Sequence, residues 1–355
     1  MSIFAVISDC HLHQWSAFAG IEKGMNDRLY ATLKQIDKAA CKLVDEGGDT
    51  LYITGDLFHV RGSISPTVLN PAIDLFKRLH SDYGVKTRIL TGNHDLESRD
   101  SDAISSACES LRTVPGVEVI SKPMVFPDDK VVMIPWFESM DKVREEIQWA
   151  IDCFGPDMSQ HTLMIHAPLN GVIIGIPDHG FYAAELAKHG FKNVFCGHYH
   201  NFKAFEGCVY SVGATTHQTW NDVGTKAGYL IVQDGIVTHH DSSAPKFIDF
   251  DSDWDMDKAI DNCGGNYVRI RLGSATDEEV SLMRDHVIGL GAKGCVVQAI
   301  PVPKTTATAR TGSVSSAPTV RESIEQWVDS NIAANKKAVS KLCQEIIDQV
   351  EAVEV

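Results

Sequence analysis

Five short apolar runs in this chain each stop at Asp, His or Asn, and that repetition constrains the fold more than any other feature. The runs are IFAVISDCH (3–11), TLYITGD (50–56), TRILTGNHD (87–95), TLMIHAP (162–168) and NVFCGHYH (193–200). Segments of helical period lie between the early ones. RLYATLKQIDKAACKLVDEG (28–47) carries apolar residues at 29, 33, 36, 40, 43 and 44 and stops at a Gly pair. NPAIDLFKRLHSDYG (70–84) reads as a second helix. Strands alternating with helices predict an α/β domain. In such sheets the functional groups collect beyond the carboxyl ends of the strands, which is where every polar cluster falls.

The bulk properties narrow the class. With 355 residues and 44% hydrophobic content there is room for one large domain plus appendages. No apolar run approaches the roughly 18 residues of a membrane span. MSIFAVISDCH lacks a basic leader and reads as a first strand rather than a signal peptide. Nine cysteines, at 10, 41, 108, 153, 196, 208, 263, 295 and 343, form no CxxC pair. That pattern fits a reducing compartment, so a cytoplasmic protein is expected. The formal net charge of −15 argues against a surface that grips nucleic acid all over, yet leaves room for a local cationic site built from metal ions.

Further along, CVYSVG, AGYLIVQDG and IVTHH between 205 and 241 are strand-like and are expected to complete a second sheet. FIDFDSDWDMDKAIDN reads as an acidic boundary, and residues 266–300 as a compact β-α-β unit. The stretch 301–320, rich in Pro, Ser, Thr and Ala, reads as a linker. The tail predicts two amphipathic helices, one bearing Ile324, Trp327 and Val328, the other Val339, Leu342, Ile346, Ile347 and Val350.

Asp9 and His11 are two apart, as are His198 and His200, and a period of two would turn each pair to one side of a strand. Adding Asp56, Asn93 and His166 makes seven oxygen or nitrogen donors at five strand ends. Carboxylate, imidazole and amide together suit Mn²⁺, Fe²⁺ or Zn²⁺. Seven donors are too many for one ion and suit two ions sharing a carboxylate. Each motif alone has a plainer reading: Asp56 as a turn residue or helix cap, G-N-H-D as a turn, G-H-x-H as a solvated pair. Their ordered recurrence weighs against that. Gly55, Gly92 and Gly197 would let the backbone turn sharply beside the donors, and Cys10 should face the core.

D-x-H, G-D, G-N-H-D, a lone His and G-H-x-H, in this order across residues 1–245, resemble the calcineurin-like metallophosphoesterases. The resemblance implies a four-layer α/β/β/α sandwich of two mixed sheets, with a small α+β capping domain (246–300) and C-terminal helices (321–355). It assigns Asp9, His11, Asp56 and His200 to one divalent ion, and Asp56, Asn93, His166 and His198 to the other. Mn²⁺ is the expected ion, with Fe²⁺ or Zn²⁺ as alternatives. A hydroxide activated by the ions would attack phosphorus in line. His94 is then the expected general acid or transition-state donor, with Asp95 either orienting it or holding a turn.

GDLFH followed by Ser65-Pro66 resembles one branch of that family, the DNA double-strand-break repair nucleases of the SbcD exonuclease-subunit type. His59 would lie near the scissile phosphate, and Arg61 would contact it. The branch implies DNA as substrate, a homodimer through the nuclease domain, and an SMC-like ATPase of the SbcC type docked on the C-terminal helices. The short capping region fits a compact phage version, and the acidic charge would leave much of the DNA grip to the partner. Two competing readings remain: a small-molecule or nucleotide phosphodiesterase without DNA preference, and a subunit whose main task is to anchor an ATPase.

Overall fold

The structure is a computed structural model that describes residues 2–98, 106–155, 157–250, 261–301, 324–325, 327–329 and 335–351. Residues 1–302 form one compact unit and 303–355 a second. In the first, β1 (Ile3–Ile7) is followed by a small hairpin, β2 (Ile21–Glu22) and β3 (Met25–Asn26), then α1 (Asp27–Asp45), β4 (Thr50–Ile53), α2 (Pro66–Tyr83), β5 (Lys86–Leu90) and β6 (Val117–Ile120). β7 (Met124–Phe126), β8 (Val131–Ile134), α3 (Met140–Phe154), β9 (Thr162–His166), α4 (Ala183–Ala187), β10 (Asn193–Gly197), β11 (Lys203–Phe205) and β12 (Val209–Ser211) build the second half. β13 (Gly228–Gln233) and β14 (Ile236–Asp241) close the larger domain.

Two six-stranded mixed sheets result, ordered β14-β13-β1-β4-β5-β6 and β11-β12-β10-β9-β8-β7. Strand alternation divides the apolar residues between layers. Phe4, Val6 and Tyr52 meet Met133, Met164 and Phe195 between the sheets. Ala5, Ile7, Leu51 and Ile53 face Leu29, Ile36, Leu75 and Phe76 of α1 and α2. Val132, Ile134, Leu163 and Ile165 face Val143, Ile147 and Leu186 of α3 and α4 on the other side. The order is therefore α/β/β/α.

Two expectations change. β13 and β14 join the first sheet, not the second: β13 pairs antiparallel with β1, Ile3 opposite Gln233. A period of two reveals a strand but not its partner. Likewise α2 starts at Pro66 rather than near Asn70, because Pro66 occupies the first turn and Pro71 is tolerated inside the helix.

β15 (Phe247–Phe250), β16 (Tyr267–Ala275) and β17 (Gly294–Pro301) form a parallel three-stranded sheet covered by α5 (Asp277–Gly289). It is pinned to the larger domain by aromatic contacts, Phe18 stacking on Tyr267 at 5.5 Å and Trp220 edge-on to Phe247 at 4.8 Å. Lys293 pairs with Asp27 at 3.0 Å. The expected linker lies, apart from Pro301, outside the described residues. In the second unit, α6 (Lys336–Glu351) leaves Leu342 and Ile346 exposed; Trp327 is exposed and Val328 buried on a helical stretch before it. The side chains of Ile347 and Val350 lie outside the description. Among the described residues no helix is long and apolar enough to cross a membrane.

Candidate metal centre and active site

The donor pairs do not converge by strand alternation. β1 ends at Ile7 and β10 at Gly197, so Asp9, His11, His198 and His200 all lie in the loops beyond. There the backbone is left-handed at non-glycine residues: φ is 48° at Asp9, 44° at His11, 53° at Asp56 and 110° at His198. Such conformations persist only where the surroundings over-determine them. Here two loops are zipped together. The Asp9, His11 and Leu12 amides donate to the Gly55, Asp56 and Leu57 carbonyls at 3.1, 3.0 and 2.8 Å. Glycines permit the approach: a Cβ on Gly92 would stand 2.2 Å from Asp56 Oδ1, and one on Gly55 2.1 Å from His166 Nδ1.

All seven expected donors meet at one end of the sandwich. Donor atoms of Asp9, His11 and His200 lie within 4.8 Å of one another, as do those of Asp9, Asp56 and His166. Asn93 Oδ1 lies 3.1 Å from His166 Nε2 and 3.0 Å from His198 Nδ1. His11 Nε2 lies 3.6 Å from Asp56 Oδ2 and 3.3 Å from His200 Nε2.

The remaining hydrogen bonds fix which ring atoms are free. His200 Nδ1 donates to Asp222 Oδ1 at 2.7 Å, leaving the Nε2 lone pair turned to His11. Asp222 Oδ2 also accepts from the Gln218 and Thr219 amides at 2.7 and 2.8 Å. His166 Nδ1 donates to the Thr54 carbonyl at 2.8 Å, while its Nε2 faces Asp56 Oδ2 at 3.5 Å. With oxygens against both nitrogens, that ring must either carry a second proton or share Nε2 with a cation.

The electrostatics agree. Burial pushes the Asp9 carboxyl up, against the pull of His166, and its Oδ1 is buried with no hydrogen-bond partner. Burial works against the Asp56 charge too, but His166 and His11 hold it well below the usual range. His166 itself, although buried, is raised to about 9 by Asp56. Burial, helped by neighbouring imidazoles and against the pull of Asp56, keeps His11 well below its ordinary value and His198 at about 3. Neutral imidazoles at His11 and His198, beside buried carboxylates and an unpartnered buried carboxylate oxygen, suit a cation site, and an apolar core would not tolerate such carboxylates. The residues fit divalent ions.

The other expected residues fall around this cluster. His94 and His59 stack at 5.4 Å, with His11 edge-on to both. His94 Nδ1 faces the His59 carbonyl oxygen at 2.9 Å, and the His94 amide donates to Asp56 Oδ1 at 2.8 Å. Asp95 does not orient His94. It is wholly buried, and its carboxylate accepts from the Leu57, Phe58 and Gly92 amides, tying two donor loops together. Burial, then Asp56, pushes that carboxyl up to about 7. Arg61 is half-buried, and its Nε donates to the Asn93 carbonyl at 3.0 Å. Cys10 is buried beside Thr215.

Sequence reading missed Asp222, whose only signal is the T-x-x-D capping box Thr219–Asp222, the mark of a turn. It also missed Trp136, just beyond β8, which stacks on His198 at 5.2 Å and 22°.

A family model for the calcineurin-like phosphoesterases matches residues 3–202, which hold all seven donors. The chain belongs to this family. It is a metal-dependent phosphoesterase. Exonuclease subunit 1 of Enterobacteria phage T4 is 28% identical over 206 residues, 55% of this chain and 57% of that protein, so the match spans little more than half of the relative. Among solved structures, TT1561 of Thermus thermophilus aligns at 12% identity and a TM-score of 0.41, covering 68% of this chain and 99% of that one. The nuclease MPE of Pseudomonas putida aligns at 16% and 0.30, covering 67% and 87%.

Proposed function

We propose that this phosphoesterase is a DNA nuclease subunit acting at DNA ends alongside an SMC-like ATPase. The observation that carries the nuclease reading is the similarity to an exonuclease subunit over 206 residues, in a chain whose family match at 3–202 holds the donor set. Asp9, His11, Asp56 and His200 would hold one ion, and Asp56, Asn93, His166 and His198 the other. Two such ions, most readily Mn²⁺, lower the pKa of water and offset charge on the phosphate oxygens when bound.

The chain's own groups then divide the work. Asp222 and the Thr54 carbonyl hold His200 and His166 in the tautomers that turn Nε2 to the centre. Because His94 Nδ1 donates to the His59 carbonyl, Nε2 is its remaining atom, and as an imidazolium the ring would give the Nε2 proton to the leaving oxygen and keep the Nδ1 one. His59 lines the approach, and Arg61 adds positive charge behind Asn93. The three-stranded unit caps the larger domain. The exposed apolar side chains of Trp327, Leu342 and Ile346 support the tail as the ATPase-docking element, and pairing of two chains through the nuclease domain completes the assembly.

The deciding experiment is degradation of an end-labelled linear duplex with Mn²⁺, beside a bis-aryl phosphodiester and an Asp56→Ala protein. Shortening by the wild type alone supports the nuclease reading. Cleavage of the aryl diester with intact DNA, with and without the ATPase, would overturn it in favour of a small-diester enzyme, the reading that the net charge of −15 favours. Truncation after residue 320 should lose the ATPase and keep diester cleavage.

A further inference from the structure

The loop that carries Asp9 and His11 continues outward through His13 to Trp15, and its rings extend the aromatic wall of the metal centre. From His94 the wall runs to His59, stacked at 5.4 Å, and from His59 to Trp15 at 4.6 Å, tilted by 43°. His13 closes the group at 5.0 Å from His59 and 5.2 Å from Trp15. None of Trp15, His13 or His59 belongs to the seven-donor set.

Trp15 is half-buried, yet firmly held. Its carbonyl accepts from Asn26 Nδ2 at 2.8 Å. The Arg28 guanidinium lies over its ring, 4.8 Å from the centroid. Arg28 is itself buried and anchored to the Ala17 carbonyl at 3.1 Å and to the Gln218 carbonyl. A large ring fixed before any ligand arrives loses little entropy on binding. The acidic surface makes such a platform useful: a chain of net charge −15 gains little from phosphate contacts outside the metals, so stacking on a base adds affinity that the chain's own charge does not supply.

We propose that Trp15, flanked by His13 and His59, is a stacking subsite for a nucleobase of the strand whose phosphate reaches the metal centre. The inference deepens the nuclease reading and rests on it for the choice of ligand. Stacking accepts any base, so the subsite would favour unpaired, base-bearing ends without reading sequence.

The test measures binding of dye-labelled tetrathymidylate, and of an equally charged abasic tetranucleotide, to the full chain with Ca²⁺. Wild type should prefer the base-bearing ligand by about 10-fold or more, since one base on one aromatic ring accounts for such a factor. Trp15→Ala should erase the preference, and Trp15→Phe should keep most of it. Equal wild-type binding of the two ligands would overturn the proposal. So would a preference that survives in Trp15→Ala, or an equal loss for both ligands together with a lowered Tm. Mn²⁺-dependent cleavage of the same tetrathymidylate is read separately. Preference without cleavage, with and without the ATPase, sinks the nuclease reading and leaves the subsite standing; cleavage without preference does the reverse.

Discussion

The two ends of the same sandwich are both acidic, and they differ in how deeply the carboxylates are buried and in what neutralises them. At the carboxyl ends of the strands, Asp9 and Asp56 are 0% and 2% exposed and surrounded by imidazoles with assigned tautomers. At the opposite end, a pocket of about 670 Å³ is lined by Asp49, Asp128, Asp129 and Asp234, all exposed. Its carboxylates are met by Lys86, Arg88 and the Ser2 amide at the surface. An exposed pair such as Lys86–Asp49 contributes little. The buried carboxylates demand a cation, and left-handed residues and close-packed glycines hold them in place. Volume therefore does not mark the site; buried, unpartnered charge does.

Substitutions at the two ends can break that contrast. Asp56→Ala, which removes the carboxylate proposed to serve both ions, should abolish phosphodiester cleavage and lower the bound Mn²⁺ per chain, read by atomic emission on the dialysed protein. Full metal content would refute Asp56 as the shared ligand. His94→Ala should cost about 10²- to 10⁴-fold in kcat with metal content retained. An unchanged rate would remove His94 from the proton transfer.

Asp222→Asn sharpens the contrast, because it keeps the shape and removes the charge that orients His200. Titration calorimetry should show metal affinity weakened by about 10- to 100-fold. An unchanged affinity would make Asp222 a cap for its turn and nothing more. Asp49→Ala, at the other end, should leave activity, metal content and Tm where they are. A loss comparable to that of Asp222→Asn would mean the two ends are coupled.

The family, and the seven candidate donors that the structure gathers at one end, were legible in the residues themselves, because each follows an apolar run. The layer order came with the family resemblance, while the split of neighbours such as Phe4 and Ala5 between two cores is seen only in the structure. What a linear pattern cannot carry is partnership. That β13 pairs with β1, and that Asp222 meets His200, are contacts between residues 22 to over 200 positions apart. Asp95 illustrates the same limit: adjacent to His94 in sequence, it turns inward to backbone amides, and the His59 carbonyl takes the place it was expected to fill. Local chemistry dictated which atoms could bind a metal. Only the tertiary structure decided which lone pairs point at the centre, because tautomer and ring orientation are set by whatever the fold packs against the other nitrogen.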